Sequence, residues 1–77
     1  MISTHSRDYQ RFIDVLIEAR KRKNLTQETV AARLGKPQSF VSKYESGERR
    51  LDVVEFFQAV KALDEDAFNL LKEMELL

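Results

Sequence analysis

The chain has 77 residues, of which 43% are hydrophobic, with two glycines, one proline and no cysteine. This length fits one domain, the composition favours helices, and the missing cysteine excludes disulfides and thiolate metal ligands. The 13 basic and 13 acidic residues cancel overall, but residues 1–50 carry a net charge of +5 and residues 51–77 a net charge of −5. We expect these two parts to present different faces to an anionic partner.

The N-terminal part predicts a short tail followed by a long amphipathic helix. Residues 1–5 lack the apolar run of a signal peptide, and no stretch is apolar for long enough to span a membrane, so we expect a cytoplasmic protein. From about Ser6 to Lys23, apolar residues recur at spacings of three and four, which indicates one buried helix face. Asn24 tolerates the left-handed conformation and is the predicted stop. The single histidine, His5, has no partner with which to build a metal or catalytic site.

Two short helices are predicted next, with a turn between them. Thr26 is a good N-cap for the first helix, and Gly35 ends it about eight residues later. The second helix begins at Pro37 or Gln38, because proline is tolerated at a first helical position, and it ends near Ser46. A helix of this length is not stable alone, so its neighbours must hold it. The spacing is that of a helix-turn-helix, in which the second helix lies in the major groove of DNA.

Two more helices are predicted after the loop that starts at Glu48. Asp52 and Glu55 have the spacing of a capping box, from which a fourth helix runs to about Leu63. The acidic residues 64–66 then cap a fifth helix, a simpler interpretation than a cation site. The fourth helix is predicted to bury Val53, either Phe56 or Phe57, Val60 and Leu63. The fifth is predicted to continue to the end of the chain, with one side formed by Ala67, Leu70, Leu71, Met74 and Leu77.

Two stretches carry a specific resemblance to a known family. Leu25 to Gly35 reads Leu-Thr-Gln-Glu-Thr-Val-Ala-Ala-Arg-Leu-Gly, and Gln38 to Gly47 reads Gln-Ser-Phe-Val-Ser-Lys-Tyr-Glu-Ser-Gly. Together they resemble the phage repressor and Cro family, also called the xenobiotic-response-element family, over roughly residues 12–71. The resemblance implies a compact all-α, five-helix domain like that of lambda repressor, spanning residues 1–77, with the helix-turn-helix at about 27–46. It also implies a sequence-specific regulator of transcription that binds double-stranded DNA and is not an enzyme.

The resemblance further implies roles for individual residues. The residues expected to face base edges are Gln38, Ser39, Phe40 and Lys43. A glutamine can bridge N6 and N7 of adenine, and an apolar ring can touch the methyl group of thymine. The residues expected to bind phosphates are Gln27, Lys36, Ser46, Arg49 and Arg50. Arg20 and Glu45 are expected to form a structural ion pair between the first and third helices.

Several of these residues also have a purely structural interpretation. Gln27 can cap its own helix, Phe40 can belong to the core, and Arg49 with Arg50 can be solvated loop. The basic run at residues 20–23 can be explained without any DNA contact, because basic side chains interact favourably with the negative end of the first helix dipole. The match to the family weakens at residues 64 and 65, where the family often has glycine and an apolar residue, so the turn into the fifth helix is expected to differ.

The expected assembly is a homodimer. The fifth helix carries more leucine than one small core needs, so Leu70, Met74 and Leu77 are a candidate dimer surface. Regulators of this kind often bind two half-sites as dimers, and we expect repression without a cofactor, a metal ion or a small-molecule effector. The acidic second half leaves an alternative open, in which the same fold is an interaction module that binds a protein, such as an antitoxin or a partner subunit.

Overall fold

Five α-helices and no strand make up residues 6–77, the part of the chain that the computed structural model describes. In chain order they are α1 Arg7–Arg22, α2 Gln27–Leu34, α3 Gln38–Glu45, α4 Val53–Ala62 and α5 Ala67–Glu73. The predicted all-α, five-helix class is confirmed. The predicted tail at residues 1–5, including His5, lies outside the described residues. None of these helices is long and apolar enough to cross a membrane.

Four of the helices begin at a side-chain cap that satisfies an otherwise unpaired backbone N–H group. The capping residues are Ser6, Thr26, Asp52 and Asp66. The predicted capping box of α4 is complete, since Asp52 accepts from the Glu55 N–H at 2.7 Å and the Glu55 side chain accepts from the Asp52 N–H at 3.0 Å. Helix α3 begins at Gln38, and its N-cap residue Pro37 makes no side-chain hydrogen bond. The caps fix where each helix starts and thereby which residues its first turn exposes.

Three helices end at a non-glycine residue with a left-handed backbone. Asn24, Asp64 and Glu75 follow α1, α4 and α5 with φ angles of 58°, 56° and 60°. In each case the next residue donates its N–H to the carbonyl five positions earlier, at 2.9 to 3.2 Å. This is the hydrogen bond of a Schellman motif. The predicted stop at Asn24 is therefore observed, and Asp64 adopts the conformation for which the resembling family often uses glycine.

The end of α5 corrects two predictions. The helix stops at Glu73 and does not continue to Leu77, because Glu75 turns the backbone into the left-handed region. Leu70 and Met74 are 0% and 1% exposed, since they fill the chain's own core, and so they are not a dimer surface. Of the three predicted dimer residues, Leu77 is the one left exposed.

The start of α4 corrects a third prediction. Val53 is 68% exposed, although it was expected in the core. It is the first residue of α4, and the buried stripe starts only at Phe56 and continues through Val60 to Leu63. Phe57, one position on, points outward and is exposed. The open first turn of α4 therefore adds an apolar surface to the outside of the molecule.

The core lies where the five helices meet. Helix α1 packs against α3 and α5, and α2 packs against α3 and α4. The largest fully buried side chains are Tyr44, Ile13, Leu16, Leu63, Leu70, Met74, Val30 and Val41. Helix α3 contributes Val41 and Tyr44 to this core and is held by two neighbours. Its opposite side remains open to solvent.

Candidate nucleic-acid interface

The outer face of α3 is polar and exposed. Gln38, Ser39 and Lys43 all lie on it, as predicted from the sequence, whereas Phe40 is half-buried at its edge. Successive helix positions turn by about 100°, so Gln38 and Ser42 lie on one line and Ser39 and Lys43 on the next. Ser42 is exposed and completes this face. It was not predicted as a site residue, although its spacing of four from Gln38 carries that signal.

A buried carboxylate joins the first three helices behind this face. Glu45 Oε2 accepts from Arg20 Nε at 2.7 Å, and Oε1 accepts from Arg20 Nη2 at 3.0 Å and from Gln27 Nε2 at 2.9 Å. The side chains of Arg20 and Glu45 are 12% and 7% exposed. The hydrogen bond with Glu45 raises the pKa of Arg20 above its usual value. The expected ion pair is thus present, and Arg20 Nη1 also donates to the Leu25 carbonyl at 2.9 Å.

Gln27 connects this carboxylate to the exposed face. Its Nε2 donates to Glu45, and its Oε1 accepts from Gln38 Nε2 at 3.4 Å. Gln27 is the first residue of α2 and is half-buried. The helix cap is supplied by Thr26, which rules out the interpretation of Gln27 as a cap. A line of hydrogen bonds therefore runs from Arg20 through Glu45 and Gln27 to Gln38.

The loop after α3 is organised by its own side chains. Ser46 Oγ donates to the Lys43 carbonyl at 3.0 Å and accepts from the Glu48 N–H at 3.3 Å. Arg50 lies over the ring of Tyr9, with 4.3 Å from its guanidinium carbon to the ring centroid. Tyr9 Oη in turn accepts from the Leu51 N–H at 3.3 Å. The hydroxyl of Ser46 is accordingly engaged in the loop, while Arg50 stays exposed beside α1.

Arg49 is bound to the first turn of α4. Its Nη1 and Nη2 donate to Glu55 Oε1 and Oε2 at 3.0 and 2.8 Å, and Nη1 also donates to the Arg50 carbonyl at 3.1 Å. The hydrogen bonds from Arg49, followed by the backbone hydrogen bond from Asp52, lower the pKa of Glu55 to about 2. Glu55 is therefore ionised at neutral pH. Sequence reasoning assigned Glu55 to the capping box and missed its pairing with Arg49.

Two cations flank the ring of Phe40. Lys36 Nζ lies 5.5 Å and the Arg49 guanidinium carbon 4.8 Å from the ring centroid. Tyr44 meets the same ring edge-on, with centroids 5.7 Å apart. Phe40 also packs against the core as a partly buried residue. Its ring is therefore held on several sides. Phe40 is partly a core residue and partly a member of the α3 face, so each of the two interpretations made from the sequence describes part of its environment.

The basic end of α1 faces the acidic second half of the chain. Arg22 and Lys23 approach Glu65 at 3.3 and 4.0 Å, and Lys23 Nζ donates to the Asp64 carbonyl at 2.8 Å. Arg22 and Lys23 therefore hold the turn between α4 and α5, whereas Arg20 of the same basic run pairs with Glu45 of α3. The expectation that the two charged parts face different ways is wrong for these residues.

A protein-family model described as Helix-turn-helix matches residues 16–68, more than half of the chain and all of α2, α3 and α4. A solved structure, an XRE-family like protein from Pseudomonas syringae pv. tomato str. DC3000, is 50% identical with a TM-score of 0.84. The match covers 88% of this chain and 83% of that chain. The chain belongs to the XRE family of helix-turn-helix proteins. No curated protein matches it.

Membership of the XRE family makes the chain a DNA-binding regulator of transcription. The resemblance inferred from residues 25–35 and 38–47 is confirmed, because the matched range contains both stretches. Within residues 6–77, no group of histidine and acidic side chains could hold a metal ion. The family assignment fixes the class of ligand as double-stranded DNA.

Proposed function

We propose that this XRE-family protein reads a double-stranded operator with α3 in the major groove, binds as a homodimer and represses transcription. The observation that carries the proposal is the exposed polar face of α3, which is braced from behind by the Glu45 carboxylate. A recognition helix must be free on its outer side and firmly held on its inner side. A dimer bound in this way blocks other proteins from the same grooves, which is the basis for proposing repression.

Base reading is proposed for Gln38, Ser39, Phe40 and Lys43. Gln38 is at the first position of α3, and its amide is hydrogen-bonded to Gln27. An oriented glutamine amide suits the paired donor and acceptor of adenine in the major groove. Lys43, one turn further along, can reach a guanine or a phosphate. Phe40 can place its ring against the methyl group of a thymine.

Phosphate binding is proposed for the residues that flank α3. Gln27 begins α2, Lys36 precedes α3, and Ser46 with Arg50 follows it. Side chains on both sides of a recognition helix can hold the two strands that border the groove and so fix its register. Arg49 belongs to this surface by position, although its guanidinium is already bound to Glu55.

The surface that supports a homodimer is an apolar groove between α1, α4 and α5. It encloses about 340 Å³ and is lined by Phe12, Leu51, Asp52, Val53, Phe56, Phe57 and Leu71. Val53 and Phe57 are exposed although both are large and apolar, which marks an interaction site. In a symmetric dimer the same patch on each copy would cover its counterpart. We propose this groove as the dimer surface instead of Leu70 and Met74, which are buried in the core.

Selection of bound sequences from random duplex DNA tests the proposed function. A shared operator motif is expected, and Gln38→Ala should relax the preference at one base pair. Arg50→Ala should weaken binding to all sequences and lower the salt dependence of log K by about one. Lys72→Ala on α5 is the matched control, because it removes one exposed charge away from α3 and should leave that slope unchanged.

Two results would overturn this proposal. No affinity for any duplex at low salt would favour the alternative function, a protein-binding module of the same fold. Equal effects of Gln38→Ala and Arg50→Ala on base preference would contradict the proposed division between base reading and phosphate binding. Measuring the variants on both the selected operator and an unrelated duplex separates these outcomes.

A further inference from the structure

The pairing of Arg49 does not suit a free phosphate clamp. Both terminal nitrogens of its guanidinium already donate to the Glu55 carboxylate, at 3.0 and 2.8 Å. Glu55 is itself held, because it accepts the Asp52 N–H at the start of α4. A bidentate arginine–carboxylate pair is geometrically specific, since the planar fork of the guanidinium matches the two oxygens. The carboxylate therefore sets the orientation of the Arg49 side chain.

This orientation matters because the guanidinium lies over the ring of Phe40 at 4.8 Å. A planar guanidinium stacks on an aromatic face and is attracted to it. Tyr44 supports the same ring from the core side, since it is buried and meets the ring edge-on. Phe40 is thus fixed between the interior and a cation that is anchored on α4.

We propose that Arg49 is a positioning residue for Phe40, and that the Arg49–Glu55 pair thereby determines a preference for thymine at one operator position. The inference rests on the proposed function, because it requires α3 to lie in the major groove. Glu55 never touches DNA in this scheme. It acts through Arg49 on the ring, which in turn contacts the 5-methyl group of one thymine.

A phosphate-clamp role for Arg49 predicts a different effect of substitution on base preference. If Arg49 binds a phosphate, then removing the acidic Glu55 strengthens every contact and leaves base preference unchanged. If Arg49 positions Phe40, then removing the Glu55 charge frees the guanidinium and base preference falls, even as binding to unrelated duplexes becomes stronger. Binding to unrelated duplexes becomes stronger in both cases, so base preference is the measurement that separates the two roles.

The experiment replaces each thymine of the selected operator in turn with deoxyuridine, which lacks the 5-methyl group. The wild-type protein should lose affinity by about fourfold at one position, which corresponds to one buried methyl group. Phe40→Ala should remove the sensitivity at that position and identify it as the one read by the ring. Binding is measured as the Kd for the two duplexes under identical salt.

Two pairs of matched variants then test the positioning role. Glu55→Gln and Arg49→Lys should both reduce the fourfold ratio to nearly one, because glutamine lacks the charge and lysine lacks the planar fork. Glu48→Gln makes the same charge change in the loop before α4, where the Glu48 carboxylate has no hydrogen bond to the described residues, and should keep the ratio. Arg50→Lys should also keep it, since Arg50 lies over Tyr9.

The outcomes are distinct. The inference is overturned if no position responds to the loss of the methyl group, or if Glu55→Gln and Arg49→Lys both keep the ratio. The thermal midpoint separates positioning from a merely structural role. A Glu55→Gln protein that keeps the wild-type midpoint but loses the ratio supports positioning. Failure of the selection to yield any operator would instead overturn the proposed function, and this inference would fall with it.

Discussion

At the scale of single residues, Glu45 connects the proposed recognition face to the stability of the fold. Its carboxylate accepts three hydrogen bonds from Arg20 and Gln27 and has little access to water. Gln27 in turn accepts a hydrogen bond from Gln38, whose amide lies on the exposed face of α3. A side chain that reads a base is useful only if its donor and acceptor point in a fixed direction. The carboxylate supplies that direction from inside the fold.

We expect Glu45→Ala to lower the free energy of unfolding by about 3 kcal/mol, because it leaves the Arg20 guanidinium without its partner in a largely buried position. Chemical denaturation of the purified protein measures the change. Glu48→Ala is the control, since this exposed residue lies three positions away and should change stability by less than about 0.5 kcal/mol. Equal stability of the two variants would contradict a structural role for the pair.

Part of this site could be predicted from the sequence. The pair between Arg20 and Glu45 followed from the resemblance, and the exposed α3 face followed from the helical spacing of its polar residues. The pairing of Arg49 with Glu55 did not follow, because a loop arginine has several acidic neighbours and the choice among them depends on where α4 begins in space. Side chains of the right type were identified, but their partners required the tertiary structure.

At the scale of helices, the residues at the helix ends determine the fold as much as the apolar stripes do. Non-glycine residues with positive φ follow three helices, and each reverses the chain within a few residues. Asparagine and aspartate tolerate this conformation better than most residues do, but each still costs more free energy there than glycine does. The predicted stop at Asn24 used this chemistry. No such signal precedes Leu77, because glutamate is an unusual residue at a helix stop, and α5 was therefore predicted too long.

We expect Asp64→Gly to raise the free energy of unfolding by about 0.5 to 1 kcal/mol, because glycine adopts a φ of 56° without a clash from Cβ. The thermal midpoint and a denaturant titration measure the gain. Asp64→Ala is the matched control, since it removes the same carboxylate but keeps Cβ and should be no more stable than wild type. If both variants change stability alike, the carboxylate and not the backbone would be the cause.

At the scale of the whole molecule, the open groove between α1, α4 and α5 is the surface that we propose for a homodimer. Val53 and Val54 make a natural pair of probes, because both are exposed in the first turn of α4. Val53 lines the groove, whereas Val54 is not among its lining residues. Acidic residues are favoured at this end of a helix, so a glutamate at either position should be tolerated by the fold.

We therefore expect the wild-type protein and Val54→Glu to sediment as dimers without DNA, and Val53→Glu to sediment as a monomer. A buried charge at the centre of a symmetric contact meets its own copy, which destabilises the dimer. Sedimentation equilibrium over a range of concentrations measures the three association constants. A wild-type protein that remains monomeric, or equal dissociation of both variants, would show that this groove is not the interface.

The ion pairs between the end of α1 and the turn before α5 have a consequence for how the protein finds its target. Arg22 and Lys23 share the two carboxylates of Glu65 and Glu73, so they attract DNA to the back of the molecule only weakly. Cations on or next to α3, such as Lys36, Lys43 and Arg50, are exposed. A neutral molecule with charge distributed in this way turns as it approaches a polyanion, so the first encounters favour the reading face.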